Sequence, residues 1–252
     1  MAKPPVPGRV KTRLTPNLTP LQAAKVHAAC LNCLLTRLTD WAQDQSPQPQ
    51  IHLALAGIDQ HTYTNFITST SDASNTCTLH ADHFNDDPAL QIPIPTDLKI
   101  TDQGDGNLGD RLGHVWQSIP PHHPVVFLGA DSPDLPLTEL ATSLTLFQTT
   151  NTQTAIGPVS DGGYWTLLVR DYFPQLIQNI DWGTDAVYHQ TIQAAQNTGL
   201  QYSERQSWFD VDTHQDLHNL IQRTAQTHDP ALAALHQSLI KITGNPSHEY
   251  AD

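Results

Sequence analysis

The chain has 252 residues, enough for one large α/β domain or two small ones. Hydrophobic residues make up only 38% of it, but uncharged polar residues rather than charge runs fill the difference, which favours a folded protein over a disordered one. The formal net charge of −13 argues against a nucleic-acid backbone or an anionic membrane surface as a partner. Neither a signal-peptide pattern nor an apolar run of membrane-spanning length is present, so we expect a cytoplasmic protein.

Basic residues cluster at the start of this acidic chain. Four of its 12 Lys and Arg residues fall within residues 3–13, namely Lys3, Arg9, Lys11 and Arg13. The segment Lys3–Leu14 also carries three prolines, which stiffen it, and Gly8, which lets the backbone turn or approach a ligand closely. Basic side chains beside exposed backbone N–H groups suit a diphosphate. The P-loop pattern is absent, and a solvated basic arm is the alternative interpretation.

The rest of the chain alternates between helical and strand patterns. The predicted helices are 20–43, 60–66, 108–119, 137–147, 184–197, 213–227 and 230–240, and the predicted strands are 51–56, 77–80, 125–129, 154–158, 163–169 and 201–209. Residues 82–97, rich in Pro and Asp, receive no regular structure. The alternation predicts an α/β fold with a mostly parallel, Rossmann-like sheet and helices on both faces. We expect one domain over residues 1–225, then a C-terminal helix and flexible tail over 226–252.

Three cysteines, Cys30, Cys33 and Cys77, are too few for a disulfide framework. Cys30 and Cys33 form a C-x-x-C, but it lies inside a predicted helix and has no second cysteine pair to complete a zinc site. A redox C-x-x-C would open a helix after a strand, which this pair does not. We therefore expect reduced thiols in the core or at the surface.

The strand predicted at 125–129 leads into Gly129-Ala-Asp131-Ser-Pro-Asp134-Leu. In open α/β sheets, ligands bind at the carboxyl ends of the strands. A carboxylate at this edge can hold Mg²⁺ or Mn²⁺ against phosphate oxygens, because hard cations prefer oxygen ligands. We therefore predict that Asp131 is a metal ligand, whereas Asp134 is interpreted as the cap of a turn or of the next helix.

Two later motifs are weaker alone. Phe209-Asp-Val-Asp212-Thr213 precedes a predicted helix, so Asp212 is a candidate second metal ligand, an N-cap, or both. Asp161-Gly-Gly-Tyr-Trp165 lies between two predicted strands and is typical of an ordinary hairpin.

Two polar segments could contact substrates. Gln103-Gly-Asp-Gly106-Asn-Leu-Gly109-Asp-Arg111 could offer Gln103 and backbone groups to a base or ribose, or could be a flexible turn into a helix. Trp182-Gly-Thr184-Asp185 could begin a helix near an acceptor, with an N-cap role for Thr184 as the alternative.

The motifs are ambiguous singly, but their order resembles one family. The order is K-x-P-x-P-G-x-V-K-T-R-L, Q-G-x-G-x-L-G-x-R, G-x-D-x-P-x-L, G-P-x-x-D-G-G-Y-W-x-L and D-V-D-T-x-x-D-L. Over about residues 2–225 the chain resembles the glycosyltransferase-A-like bacterial proteins assigned to arsenosugar biosynthesis. These are relatives of the molybdenum-cofactor and phospholactate guanylyltransferases.

The resemblance implies a nucleotide-diphospho-sugar transferase (GT-A) fold and a site to go with it. It implies that the basic loop holds the phosphates of a nucleotide-sugar or NTP, and that Asp131 and Asp212 carry Mg²⁺ or Mn²⁺. It places Gln103, Gly109 and the adjoining Arg111 near the base. The predicted function is metal-dependent glycosyl transfer to a small-molecule acceptor; the alternatives are nucleotidyl transfer with release of pyrophosphate and a catalytically inactive nucleotide-binding protein.

The acceptor side and the first strand are the remaining expectations. Asp131 belongs to the predicted catalytic set, and Asp161 or Asp185 is the candidate base that deprotonates the acceptor hydroxyl. Such proteins begin with an apolar central strand, but only Met1 and Ala2 precede Lys3. We therefore expect a sheet whose first strand is truncated, with the true start upstream or the copy degraded, at a cost of several kcal/mol in stability.

Overall fold

The computed structural model of the chain describes residues 1–57, 76–79, 87–95 and 98–244. Its helices are α1 (Pro20–Gln43), α2 (Leu108–Ser118), α3 (Leu137–Thr149), α4 (Val187–Asn197), α5 (His214–Thr224) and α6 (Pro230–Thr243). Its strands are β1 (His52–Leu55), β2 (Thr76–Leu79), β3 (Ile92–Pro95), β4 (Lys99–Asp102), β5 (Val125–Leu128), β6 (Thr154–Pro158), β7 (Tyr164–Val169) and β8 (Tyr202–Glu204). The helix predicted at 60–66 lies outside the described residues.

Local capping fixes where α1 begins. The Thr19 hydroxyl accepts a hydrogen bond from the Gln22 amide, and the Gln22 side chain accepts one from the Thr19 backbone, which is a capping box. Pro20 then occupies the first helical position, where its missing N–H costs nothing. The predicted bounds of α1 are confirmed.

The strands that the structure describes form three separate sheets. β5, β7, β6 and β8 make a four-stranded sheet in that order, β1 pairs with β4 in parallel, and β2 pairs with β3 in an antiparallel ladder. Within the four-stranded sheet only β7 is reversed, because it pairs with its sequence neighbour β6 as a hairpin. The predicted α/β class is confirmed, and so is the local pairing of these two strands.

Helices cover both faces of the strands. α1 and α3 pack on one face, where Leu34, Leu140 and Trp165 share a cluster. α2 and α4 pack on the other, where Trp116 and Ala195 contact a cluster centred on Leu167. Cys30 and Cys33 are buried free thiols on the side of α1 that packs against α5 and α6. The expectation of reduced thiols is met for these two.

Some boundaries differ from those predicted. β3 was missed because its sequence is Ile92-Pro-Ile-Pro95. The prolines are tolerated because, among the described strands, β3 pairs with β2 alone and so leaves one edge unpaired. β4 was missed as well. α4 begins at Val187, three residues late, because the Thr184 hydroxyl donates to the Asp181 carbonyl in a turn. Thr213, not Asp212, caps α5.

The C-terminal helix α6 packs on the rest of the chain. Its Leu232, Leu235 and Leu239 share an apolar cluster with α1 and α5. Gly244, at φ 77°, ends it in the left-handed conformation that favours glycine. The separation of residues 226–252 from the preceding domain stays a prediction.

Arg37 of α1 holds the loop after β5, and its removal is expected to destabilise the fold. The side chain is 8% exposed, pairs with Asp229 at 2.7 Å, and donates to the carbonyls of Pro133 and Leu135. We expect Arg37→Met to lower the free energy of unfolding by about 3 kcal/mol, because buried acceptors lose their donor. Urea unfolding measures this.

The control is Lys25→Met, which removes the more exposed ion pair to Asp87 and is expected to cost under about 1 kcal/mol. Equal losses in the two variants would contradict the role given to Arg37.

Candidate active site

The basic segment Lys3–Leu14 is a folded loop. Gly8 and Lys11 both adopt positive φ, at 77° and 47°. Two of its apolar side chains, Val10 and Leu14, are 4% and 0% exposed, and they anchor the loop against α1. A short 3₁₀ turn, Thr12–Leu14, follows. These anchors argue against the solvated-arm interpretation.

Lys11 connects the loop to both predicted metal ligands. Its Nζ forms an ion pair with Asp131, donates to the Val211 carbonyl at 2.5 Å, and lies 3.6 Å from Asp212 Oδ1. Its side chain is only 3% exposed. Burial alone would lower the pKa of Lys11, but the Asp131 carboxylate outweighs it and holds the pKa above its usual range. The ammonium therefore stays charged at neutral pH.

Asp131 lies at the carboxyl end of β5, where the sequence placed it. The Val211 N–H donates to its backbone carbonyl at 2.9 Å, which brings the Asp212 segment alongside. Burial would raise the pKa of Asp131, but the Lys11 ammonium holds it below its usual range. Arg13 adds a second cation, 3.0 Å from Asp212 Oδ2. The structure thus brings together Lys11, Arg13, Asp131 and Asp212, which are far apart in sequence.

A cluster of three carboxylates lies next to the Lys11–Asp131 ion pair and shares Asp212 with the contacts of Lys11. Carboxylate oxygens of Asp161, Asp210 and Asp212 lie within 4.8 Å of one another. Burial and the neighbouring Asp161 and Asp212 carboxylates raise the pKa of Asp210 to about 6. Oxygen ligands and an excess of negative charge fit a hard divalent cation such as Mg²⁺ or Mn²⁺. Asp131 lies outside this triplet, and Asp212 connects the two groups.

Sequence reasoning missed Asp210 as a site residue. The signal was the spacing in Asp210-Val211-Asp212: in an extended segment, residues two apart point to the same side while the one between points away. Val211 is fully buried, which leaves the two carboxylates together on the other side.

Asp210 has a pH-dependent effect on stability. Its folded-state pKa, about 6, is above its unfolded value of 3.8, so its contribution favours folding below 3.8 and is lost as pH rises through 6. We expect metal-free Asp210→Asn to be more stable than the parent at pH 7.5, by about 1 kcal/mol because solvent screens this carboxylate. Thermal unfolding at pH 7.5 and pH 4 measures this; a larger gain at the lower pH would contradict it.

Two of the three residues predicted to lie near the base, Gln103 and Gly109, make structural contacts. The Gln103 amide nitrogen donates to the carbonyls of Ala2 and Ala54, at 2.9 and 2.7 Å, and the residue is 3% exposed. Gly109 packs so closely on Trp182 that an added Cβ would lie 2.4 Å from the indole nitrogen. The Nε of Arg111 is buried with no hydrogen-bond partner among the described residues. Base contacts by these residues stay predictions.

The two motifs predicted to lie on the acceptor side, Asp161–Trp165 and Trp182–Asp185, are in contact. Gly162, at φ 88°, approaches the Asp185 backbone so closely that a Cβ would lie 2.1 Å from its carbonyl oxygen. Asp161 accepts from the Gly163 N–H at 3.0 Å, and both Asp161 and Asp185 are exposed. Their assignment as the catalytic base stays a prediction.

The remaining residues singled out in the sequence are Lys3 and Arg9 of the basic segment and Asp134 after β5. Lys3 and Arg9 are exposed, and the Lys3 carbonyl contacts His27 Nε2 at 2.8 Å. Asp134 is buried and pairs with Arg223 of α5 at 2.8 Å. It is therefore structural, as expected, although through an ion pair rather than a cap.

The fold matches that of a solved bacterial structure. The chain superposes on a crystal structure from Desulfovibrio desulfuricans G20, provisionally named a nucleotide-diphospho-sugar transferase, with a TM-score of 0.69 and 24% sequence identity over 95% of this chain and 94% of that one. The chain belongs to a family described as uncharacterized proteins conserved in bacteria (DUF2064), whose model matches residues 45–184. No protein of curated function matches it significantly. The resemblance to glycosyltransferase-A-like proteins is confirmed, whereas the arsenosugar assignment stays a prediction.

Across the part of the chain that the structure describes, no helix has both the length and the apolar character needed to cross a bilayer.

Proposed function

We propose that the chain is a metal-dependent transferase that uses a nucleotide-activated donor, and that the group it transfers is a sugar. The observation that carries the proposal is the position of Lys11. Its buried ammonium lies between the carboxylates of Asp131 and Asp212 at the carboxyl edge of the sheet. Such a site combines a fixed cation for phosphate oxygens with carboxylates for a divalent cation.

The residues divide the work as follows. Lys11 and Arg13 bind the diphosphate electrostatically. Asp212, with Asp161 and Asp210, holds Mg²⁺ or Mn²⁺, which when bound supplies charge neutralisation for the leaving diphosphate. Once Lys11 turns to the phosphate oxygens, Asp131 is free to act as a further ligand. Backbone N–H groups of the loop around Gly8, with the exposed Lys3 and Arg9, complete the phosphate side.

The acceptor hydroxyl attacks the anomeric carbon of the donor, and the bond from that carbon to the diphosphate oxygen breaks. Asp185 takes the hydroxyl proton, or Asp161 does so where Asp210 and Asp212 hold the metal without it. Both side chains are exposed, and Gly162, next to Asp161, packs against the Asp185 backbone. Gln103, Gly109 and Arg111 lie on the base side. The products are a glycosylated small molecule and a nucleoside diphosphate.

Turnover tests this proposal. The protein is incubated with Mn²⁺ and either nucleotide-sugars and candidate alcohols, or NTPs and candidate sugar phosphates. Release of nucleoside diphosphate from a nucleotide-sugar supports glycosyl transfer. Release of pyrophosphate from an NTP would show nucleotidyl transfer, which uses the same site parts. Nucleotide binding with no product in either arm would contradict the enzyme and favour an inactive nucleotide-binding protein.

A further inference from the structure

A cavity of 2210 Å³ lies between β1 and β5. It is called the β1–β5 slot here and is bounded by residues 52–54 of β1 on one edge and Val125–Leu128 on the other. Small-molecule pockets have volumes of about 300–1,000 Å³, and protein interiors contain few voids larger than a water molecule. An opening of this size beside the apolar face of α1 is far larger than the voids of a packed core.

Both edges of the slot are β-strand edges. Leu53 and Leu55 direct their backbone groups to β4, since the ladder alternates, so those of His52 and Ala54 point into the slot. On the other side the Gly129 N–H donates to the Trp165 carbonyl, so alternate residues of β5 bond to β7 and the backbone groups of Val126 and Leu128 point into the slot. Each of these two strand edges is a half-ladder, a row of backbone N–H and C=O groups positioned to pair with a further strand, and the two half-ladders face each other across the slot.

Met1 and Ala2 occupy one end of the slot. The Ala2 N–H donates to the Ala54 carbonyl at 2.8 Å, and the Ala2 carbonyl accepts from the Ala56 N–H at 3.0 Å, in a parallel bridge. The Met1 amino group donates to the Leu128 carbonyl at 3.0 Å. These two residues therefore join β1 to β5. Burial lowers the pKa of this amino group to about 6, as expected where a charged group takes the position of a peptide N–H.

We propose that the β1–β5 slot is filled by an extended apolar strand that runs into Met1 from its N-terminal side. The register follows from the bonds of Met1 and Ala2. The residue directly before Met1 bonds to the His52 carbonyl and the Ala54 N–H, and the residue before that bonds to the Val126 carbonyl and the Leu128 N–H. One continuous sheet results, in the order β4, β1, the added strand, β5, β7, β6, β8.

The walls of the slot specify the composition of this strand. Leu31, Leu34, Leu35 and Leu38 of α1 line one face, and Val115 and Ile119 from the end of α2 line the other. A strand with helices on both faces is apolar throughout rather than alternating. A free lipid or other small apolar molecule fits less well, because it leaves the backbone groups of both half-ladders without partners.

The test compares three proteins. They are the 252-residue chain, the chain with about five apolar residues (Val-Leu-Ile-Val-Phe) added before Met1, and a matched chain with Ser-Asn-Thr-Gln-Ser added there. We expect the apolar extension to raise Tm by more than about 5 °C and the polar one to leave it unchanged. We also expect hydrogen exchange of the Ala54 and Leu128 amides to slow at least ~10-fold with the apolar extension alone. The amides of Leu55 and Phe127 already face β4 and β7 and serve as internal controls.

Three results would overturn the proposal. One is equal behaviour of the two extensions. Another is a fatty acid that stabilises the 252-residue chain and still binds after the apolar extension is added, which would make the slot a ligand cavity. The third comes from the gene: we expect the codons directly upstream of Met1 to encode a short apolar run, and a stop codon or a polar run there contradicts a strand continuous with Met1.

Discussion

Replacing Lys11 with methionine is expected to lower kcat/KM for transfer by about 10²–10³, the loss typical of removing one fixed group that stabilises developing charge. Methionine keeps the length of the stem and removes only the ammonium. The reason for the large effect is that Lys11 is the buried cation that contacts both Asp131 and Asp212. Steady-state kinetics with the donor identified by turnover measures it.

The same variant is expected to stay folded. Asp131 is half-exposed, so solvent takes over part of the contact that it loses, and we expect a cost of about 1 kcal/mol. Lys241→Gln, at an exposed position in α6, is the matched control and should keep full activity. Unchanged kcat/KM in Lys11→Met would remove the loop from the site.

Replacing Asp212 with asparagine is expected to abolish the response to divalent metal. Asp212 is the carboxylate common to the Lys11 contact and to the triplet with Asp161 and Asp210. Asparagine keeps the shape and leaves the Thr213–Asp216 capping box of α5 intact, because that box does not use the Asp212 side chain. We expect Mn²⁺ to raise Tm in the parent by several degrees and in Asp212→Asn not at all, with transfer falling at least ~100-fold.

Asp44→Asn provides the charge-matched control, since Asp44 is exposed at the C-cap of α1 and remote from the triplet in the sequence. It should behave like the parent in both assays. A parent-like Mn²⁺ response in Asp212→Asn would place the metal elsewhere or remove it from the mechanism.

Local signals in the sequence predicted much of the fold. Thr19-Pro20 marked the start of α1 because capping acts over a single turn. The run Val125–Leu128 marked β5 because a strand between two layers of helices is apolar throughout. β3 was not predicted because prolines are uncommon in strands. Whether a strand can contain prolines depends on its position in the sheet, which the sequence of the strand alone does not give.

The site was predictable in part only. Asp131 was predicted because it follows a strand, and Asp212 because it precedes a helix. Their contacts with Lys11 were not predictable, because tertiary packing brings the residues together; Lys11 and Asp131 are 120 positions apart in the sequence. Gln103 has a structural contact that its motif did not indicate: its amide nitrogen donates to the carbonyls of Ala2 and Ala54, while a base contact stays a prediction. Residue type and motif order indicated which groups matter, while the fold determined which of them meet.

The donor site is tested most directly by a thermal-shift measurement of the unmodified chain with nucleoside diphosphates, each with and without Mn²⁺. A ligand that binds only the folded state at about 100 times its Kd stabilises it by about 2.7 kcal/mol, or roughly 5–10 °C in Tm for a chain of this size. We expect at least one nucleoside diphosphate to give such a shift with Mn²⁺ present and a much smaller one without it. A shift that is the same with and without Mn²⁺, or no shift with any nucleoside diphosphate, would contradict a metal–diphosphate site formed by Lys11, Asp131 and Asp212.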